Sequence, residues 1–184
     1  MTYNPQKAAQ TIAFFAIKQG GTVNLLKAVK LVYMADRNSV ELRGHPIQDE
    51  PRVSMPFGPV NSTTLNHING AYRDNQPAWQ AILDDRAGNM VGLTNEQLSV
   101  DELDQLSPRE LAILEDLWSE FGHMSGLDLA DWTHDNLVEW EDPNGSSRPI
   151  TLERIMTAVG LEHSIERARE YESLQDAHDI LASL

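Results

Sequence analysis

The sequence predicts a mainly α protein, a single compact helical domain over residues 1–184 with one small β-hairpin. Three observations carry that class. Helix-start signals recur at Asn4-Pro5, Asn24, Ser107-Pro108 and Thr151. Apolar residues return at helical spacing behind them. Extended patterns are confined to residues 53–55 and to the two sides of residues 84–88.

The elements follow in order. Asn4 caps a first helix with apolar Ala8, Ile12, Phe15 and Ala16, and Gly20-Gly21 stops it. Asn24 caps a second helix that runs to about residue 42, where Arg43-Gly44-His45-Pro46 ends it. Residues 47–60 are proline-rich and read as irregular, with a short extended piece at 53–55. A helix is expected over 62–72. Residues 79–83 and 89–93 flank Asp84-Asp85-Arg86-Ala87-Gly88 and read as the hairpin. Ser107-Pro108-Arg109-Glu110 is a capping box with Pro at the first helical position, followed by Leu111, Leu114, Trp118 and Phe121. Trp118 is at core spacing. Gly122 and Gly126 bracket a break before a short helix over 127–134, and residues 142–147 form a loop. Two C-terminal helices complete residues 147–184. Thr151 caps the first, with Leu152, Ile155 and Val159 inside; the second carries Tyr171, Leu174 and Leu181. That last stripe either packs on the body or binds a partner.

Composition bounds the function. The chain has 184 residues, 41% of them apolar, enough for one sizeable core. It has no cysteine, which excludes disulfides, cysteine-ligated zinc and thiol catalysis. The net charge is −14, unevenly spread: residues 1–60 carry a balance of +3 and residues 61–184 one of −17. An acidic body disfavours direct nucleic-acid binding and favours a basic protein partner, although acidity also simply keeps a protein soluble. The start lacks a secretory pattern, and the apolar stretch 11–17 is too short for a bilayer. The expectation is a cytoplasmic protein with no membrane partner. No P-loop, GxGxxG, GxSxG or kinase signature occurs. No cofactor and no enzymatic activity are expected.

Asp36 is the most informative residue. Val29, Val32, Tyr33, Asp36 and Val40 share one helix face, so this carboxylate points inward. A buried carboxylate needs donors. The candidates are backbone amides of the Gly-Pro loops, Arg37 or Arg43, or the Thr133-His134 pair. Asp36 thereby becomes the organiser of the 44–60 loop.

Two segments carry a resemblance. One is Lys30-Leu31-Val32-Tyr33-Met34-Ala35-Asp36-Arg37, then Arg43-Gly44-His45-Pro46-Ile47, then Met55-Pro56-Phe57-Gly58-Pro59-Val60. The other runs from Leu106-Ser107 through Trp118 and Phe121 to Thr133-His134 and Trp140. In this order, over about residues 10–140, they resemble the Panacea-domain (SocA/GepA-like) antitoxin family. Many members have Pro directly before the late Trp; here Glu139 stands there. The resemblance implies an antitoxin that neutralises a cognate toxin by direct protein contact. One branch of the family delivers its toxin to a Clp-type protease, and other members are encoded in phages and mobile elements. It also makes Tyr33, Asp36, Arg37, Gly44, Pro46, Phe57, Gly58, Pro59, Thr133, His134 and Trp140 the motif residues and structural organisers.

Candidate toxin-binding residues are Phe57, Asp128, Asp131 and Asp135. Phe57 sits in a fixed turn and is either an interface anchor or a core plug. The three aspartates recur at helical spacing, as a solvated face or as a docking edge for a basic surface. His134 reads as a structural hydrogen-bonding group, since three or four convergent metal ligands are not evident around it. The alternatives to an antitoxin are a proteolytic adaptor for a Clp-type protease and a metal-assisted hydrolase.

Overall fold

The chain's fold is described from a computed structural model that covers residues 3–72 and 76–182. Eight α-helices are seen among these residues: α1 (Pro5–Lys18), α2 (Leu25–Arg43), α3 (Ser62–Ile68), α4 (Pro77–Gln80), α5 (Pro108–Phe121), α6 (Gly126–Asn136), α7 (Leu152–Ala158) and α8 (Ser164–Ala182). Five short strands accompany them: β1 (Thr22–Asn24), β2 (Arg52–Met55), β3 (Gly58–Asn61), β4 (Met90–Gly92) and β5 (Arg148–Ile150). The mainly α class holds, but the strands exceed one hairpin.

The central element is α2. Residues from Lys27 to Asp36 are buried without a break, so most of its circumference is covered. Helices α1, α5, α6 and α7 and strand β3 pack around it. The caps form as the sequence predicts: Asn4 accepts from Lys7 N at 3.0 Å, Asn24 from Lys27 N at 3.2 Å and Thr151 from Arg154 N at 3.2 Å. The Ser107–Glu110 capping box is reciprocal. Its carboxylate also receives Lys7 at 2.8 Å and Arg43 at 3.2 Å, tying α5 to α1 and α2. Burial acts to raise Glu110, but the Lys7 bond and the Ser107 amide outweigh it and hold the group at about 2.

The expected hairpin over 79–93 forms only in part. Pro77 starts a helical turn, α4, in place of the first part of its first strand, and the two sides meet through isolated antiparallel bridges, Leu83 with Leu93 and Ala87 with Met90. Strand β4 pairs with β1, with Val23 opposite Val91. Gly20 and Gly21, at φ 94° and 109°, turn the chain from α1 into β1. Both valines are buried, which fixes the register.

A true hairpin lies instead in the proline-rich segment read as irregular. Strands β2 and β3 pair antiparallel, with Met55 opposite Gly58, and β5 joins the other side of β2. Pro59 has no N–H, yet β3 is an edge strand, where that is tolerated.

Two further expectations change. Trp118 is half-buried rather than core, with the Lys27 ammonium 4.6 Å from its ring centre. On α8, Ala168 is buried and Tyr171 stacks on His45, but Leu174 and Leu181 are 63% and 71% exposed. The stripe of α8 therefore packs only over its first turns.

Candidate functional site

The motif residues converge on one buried framework beneath the β2–β3 hairpin. Asp36, fully enclosed on α2, accepts four hydrogen bonds. Oδ1 takes Ile47 N at 3.0 Å and Gln48 N at 2.8 Å. Oδ2 takes Arg52 Nε at 3.2 Å and Asn61 Nδ2 at 2.9 Å. Two donors are thus amides of the loop after Pro46. The other two come from β2 and β3, not from Arg37, Arg43, Thr133 or His134. Arg37 serves Glu139, Arg43 serves Glu110, and the Thr133 hydroxyl donates to Ala130 O at 2.7 Å. Complete burial pushes the Asp36 carboxyl up, and Arg52 and the amide of Gln48 pull against it. All four partners are donors, so the ionised form fits this cage.

A second carboxylate, missed in the sequence, stands beside it. Glu50 is buried and shares the Asn61 amide, whose Nδ2 also lies 3.2 Å from Glu50 Oε1. Its other partners are the Thr64 amide at 2.7 Å and the Thr64 hydroxyl, which fix the start of α3. Burial pushes Glu50 up to about 7, against the Thr64 bonds. Arg52 closes the cluster by donating to Gln48 O at 2.8 Å, and Gln48 Nε2 reaches Thr11 on α1 at 2.9 Å. The 46–64 segment is therefore held to α1, α2 and α3 by side chains with little access to solvent. Gly44 caps α2 in the left-handed region at φ 79°, and Pro46 is buried behind it.

The second half of the framework stitches residues 139–141 to α2 and β2. Tyr33 donates to Glu139 Oε1 at 3.1 Å, and Arg37 Nε donates to the same oxygen at 2.8 Å. Burial, then the Glu139 charge, pushes the Tyr33 hydroxyl well above its ordinary range. Trp140 Nε1 donates to Met55 O at 3.0 Å, and its ring stacks on His134 at 4.2 Å. Glu141 N donates to Ser54 Oγ at 3.2 Å. Glu139, which departs from the common Pro, is thus a buried ion-pair acceptor. Its neighbour Trp140 was the signal that could have found it.

The hairpin tip is gripped from below. Gly58 has φ 94°, and a Cβ there would lie 2.5 Å from Thr133 Oγ1 and 3.0 Å from Lys30 Nζ. Lys30 is fully buried, and its ammonium donates to Pro59 O at 2.8 Å. Burial pushes it down to about 7. The sequence placed Lys30 in the motif without marking it as buried, because lysine rarely is. Phe57, at the turn, points the other way and is 64% exposed, which rules out the core plug.

Around the tip lies a shallow concavity of about 540 Å³ lined by Leu25, Leu26, Phe57 and Leu127 together with Asn24 and Asn89. Leu127, on the first turn of α6, is 65% exposed. Asp128, Asp131 and Asp135 are all exposed along α6. They differ in freedom: Asp128 accepts from Ser125 Oγ at 2.7 Å and caps its own helix. Among the described residues, no group of three His, Asp or Glu side chains is placed to hold a metal ion. None of the described helices is long and apolar enough to cross a membrane.

Comparison with curated proteins and with solved structures returned no match. The family described as antitoxin SocA-like, Panacea domain matches residues 29–141, more than half of the 184. The match starts at Val29 and ends at Glu141, so it takes in α2 after its first turn, the β2–β3 hairpin, α5, α6 and the 139–141 stitch, and leaves α1, α7 and α8 outside. On that match the chain belongs to the Panacea-domain family of SocA-like antitoxins.

Proposed function

We propose that this chain is the antitoxin of a toxin–antitoxin pair and neutralises a cognate toxin by direct protein–protein contact, not by catalysis. Family membership supports the role. The observation that carries the contact mechanism is the hairpin tip: its backbone is locked by buried side chains while Phe57 stands in solvent. A rigid aromatic held out of the core costs little further order on binding, as interface anchors require. Asp36 and Glu50, by contrast, are enclosed and saturated with protein donors, which is the placement of structural rather than substrate-facing carboxylates.

The working picture is a cytoplasmic protein whose helical body covers the toxin's active or substrate-binding surface. The test is co-expression with the neighbouring reading frame. Growth arrest caused by that frame alone, relieved by this chain and accompanied by a co-purifying pair, is the expected result. Relief that disappears in a host lacking its Clp-type protease would mean delivery instead of occlusion. A harmless neighbour that never co-purifies would sink the antitoxin reading.

A further inference from the structure

Three leucines, one phenylalanine and an acidic helix edge meet at one place on this surface, and their chemistry specifies the partner. Phe57 and Leu127 are about two-thirds exposed and, with Leu25 and Leu26, line the same concavity. Its lining carries no charged side chain among the described residues. The cations nearest in sequence are turned away: Lys27 donates inward to Gly122 O at 2.6 Å, and Lys30 to Pro59 O. On α6, Asp131 lies one turn beyond Leu127 on the same outward face, and Asp135 one turn further. Neither makes an ion pair among the described residues, and the body behind them is strongly acidic. The result is an apolar seat with an anionic rim on one side.

We infer that this concavity is the toxin-docking surface, and that its occupant is a toxin segment with an apolar anchor flanked by lysine or arginine. The inference rests on the antitoxin reading and adds to it the site and the partner's chemistry. The apolar seat supplies the anchor contacts, which set the lifetime of the complex. Asp131 and Asp135 act at longer range: they speed encounter with a basic segment and make association salt-sensitive. Asp128 belongs to the α6 cap and contributes through the fold.

The experiment measures binding kinetics of the full chain with the polypeptide of the neighbouring reading frame, purified from their complex. The variants are Phe57→Ser, Leu127→Ser and the pair Asp131→Lys with Asp135→Lys. All four positions are exposed, so melting temperatures should match the parent; each variant is checked for this. Phe57→Ser and Leu127→Ser are expected to weaken binding by about 30-fold or more, mainly through faster dissociation. The charge-reversed variant is expected to associate about 10-fold more slowly at low salt and to lose most of the salt dependence. Parent-like affinity in both apolar variants overturns the docking site while leaving the antitoxin reading intact. Weakened apolar variants together with a charge-reversed protein whose on-rate and salt dependence both match the parent's overturn the basic-partner assignment. Absence of any complex with the parent chain instead removes the antitoxin reading on which both depend.

Discussion

Replacing Asp36 with alanine removes one acceptor from four donors at once. Two are backbone amides, Ile47 N and Gln48 N; one is the Asn61 amide; one is the buried Arg52 guanidinium. A buried donor left unpaired costs about 1–3 kcal/mol. A buried ion pair broken from one side costs about 3–5 kcal/mol. These losses do not add fully, because Arg52 keeps its bond to Gln48 O and water can enter the gap. The expected loss is about 4 kcal/mol, a large share of the roughly 5–15 kcal/mol of a typical domain. Urea unfolding followed by tryptophan fluorescence measures it. Asp36→Asn keeps the shape and an acceptor for both amides, but leaves Arg52 without its counter-charge and turns an NH2 toward the Arg52 and Asn61 donors, so about 3 kcal/mol is expected. A loss below about 1 kcal/mol in Asp36→Ala would falsify the view that this carboxylate organises the 46–61 segment. If Asp36→Ala does not fold, the asparagine variant decides.

Three other outcomes follow from the same framework. Glu50 is held at about 7 when folded against an ordinary 4.5, so the folded state keeps a proton that the unfolded state gives up. Its contribution is complete below pH 4.5 and is lost as pH rises to about 7, a change of roughly 3 kcal/mol. Glu50→Gln should flatten that part of the stability–pH curve and exceed the parent in stability at pH 8 by chemical denaturation. Lys30 has the opposite sign: burial lowers it from 10.5 to about 7, so stability rises between those values by up to about 1.4 kcal/mol per pH unit. Lys30→Met, compared with the parent at pH 7 and pH 10, should remove that rise. Gly58→Ala places a Cβ against Thr133 and Lys30 at a positive φ, and should cost about 2 kcal/mol or more by thermal or urea unfolding.

The helices were legible because their signals are local. Asn4, Asn24, Ser107 and Thr151 each cap the helix they announce. The inward turn of Asp36 was legible for the same reason, since 3.6-residue periodicity alone sets it. Strand partners were not, because pairing is decided across long stretches of chain. Residues 90–92 read as extended, but nothing near them announces β1 as the partner. Prolines 51, 56 and 59 hid the β2–β3 hairpin: Pro51 and Pro56 fall outside its strands, and Pro59 lies on β3, an edge strand that tolerates it. Of the framework, Asp36, Tyr33 and Arg37 stood out by motif, whereas Glu50, Glu139 and Lys30 look like surface residues until the fold encloses them. Phe57 stayed undecided because a turn aromatic can face either way. The direction depends on Gly58 resting against Thr133 and Lys30, a contact between distant parts of the chain.

The central claim is that a folded helical body stops a toxin by sitting on it. The most direct measurement titrates purified chain into purified toxin, with no protease present, and follows the toxin's own activity. Occlusion predicts a linear fall to zero at a fixed stoichiometric ratio, and a titration curve shifted to much higher concentrations for Phe57→Ser. Full toxin activity in the presence of excess chain would contradict it.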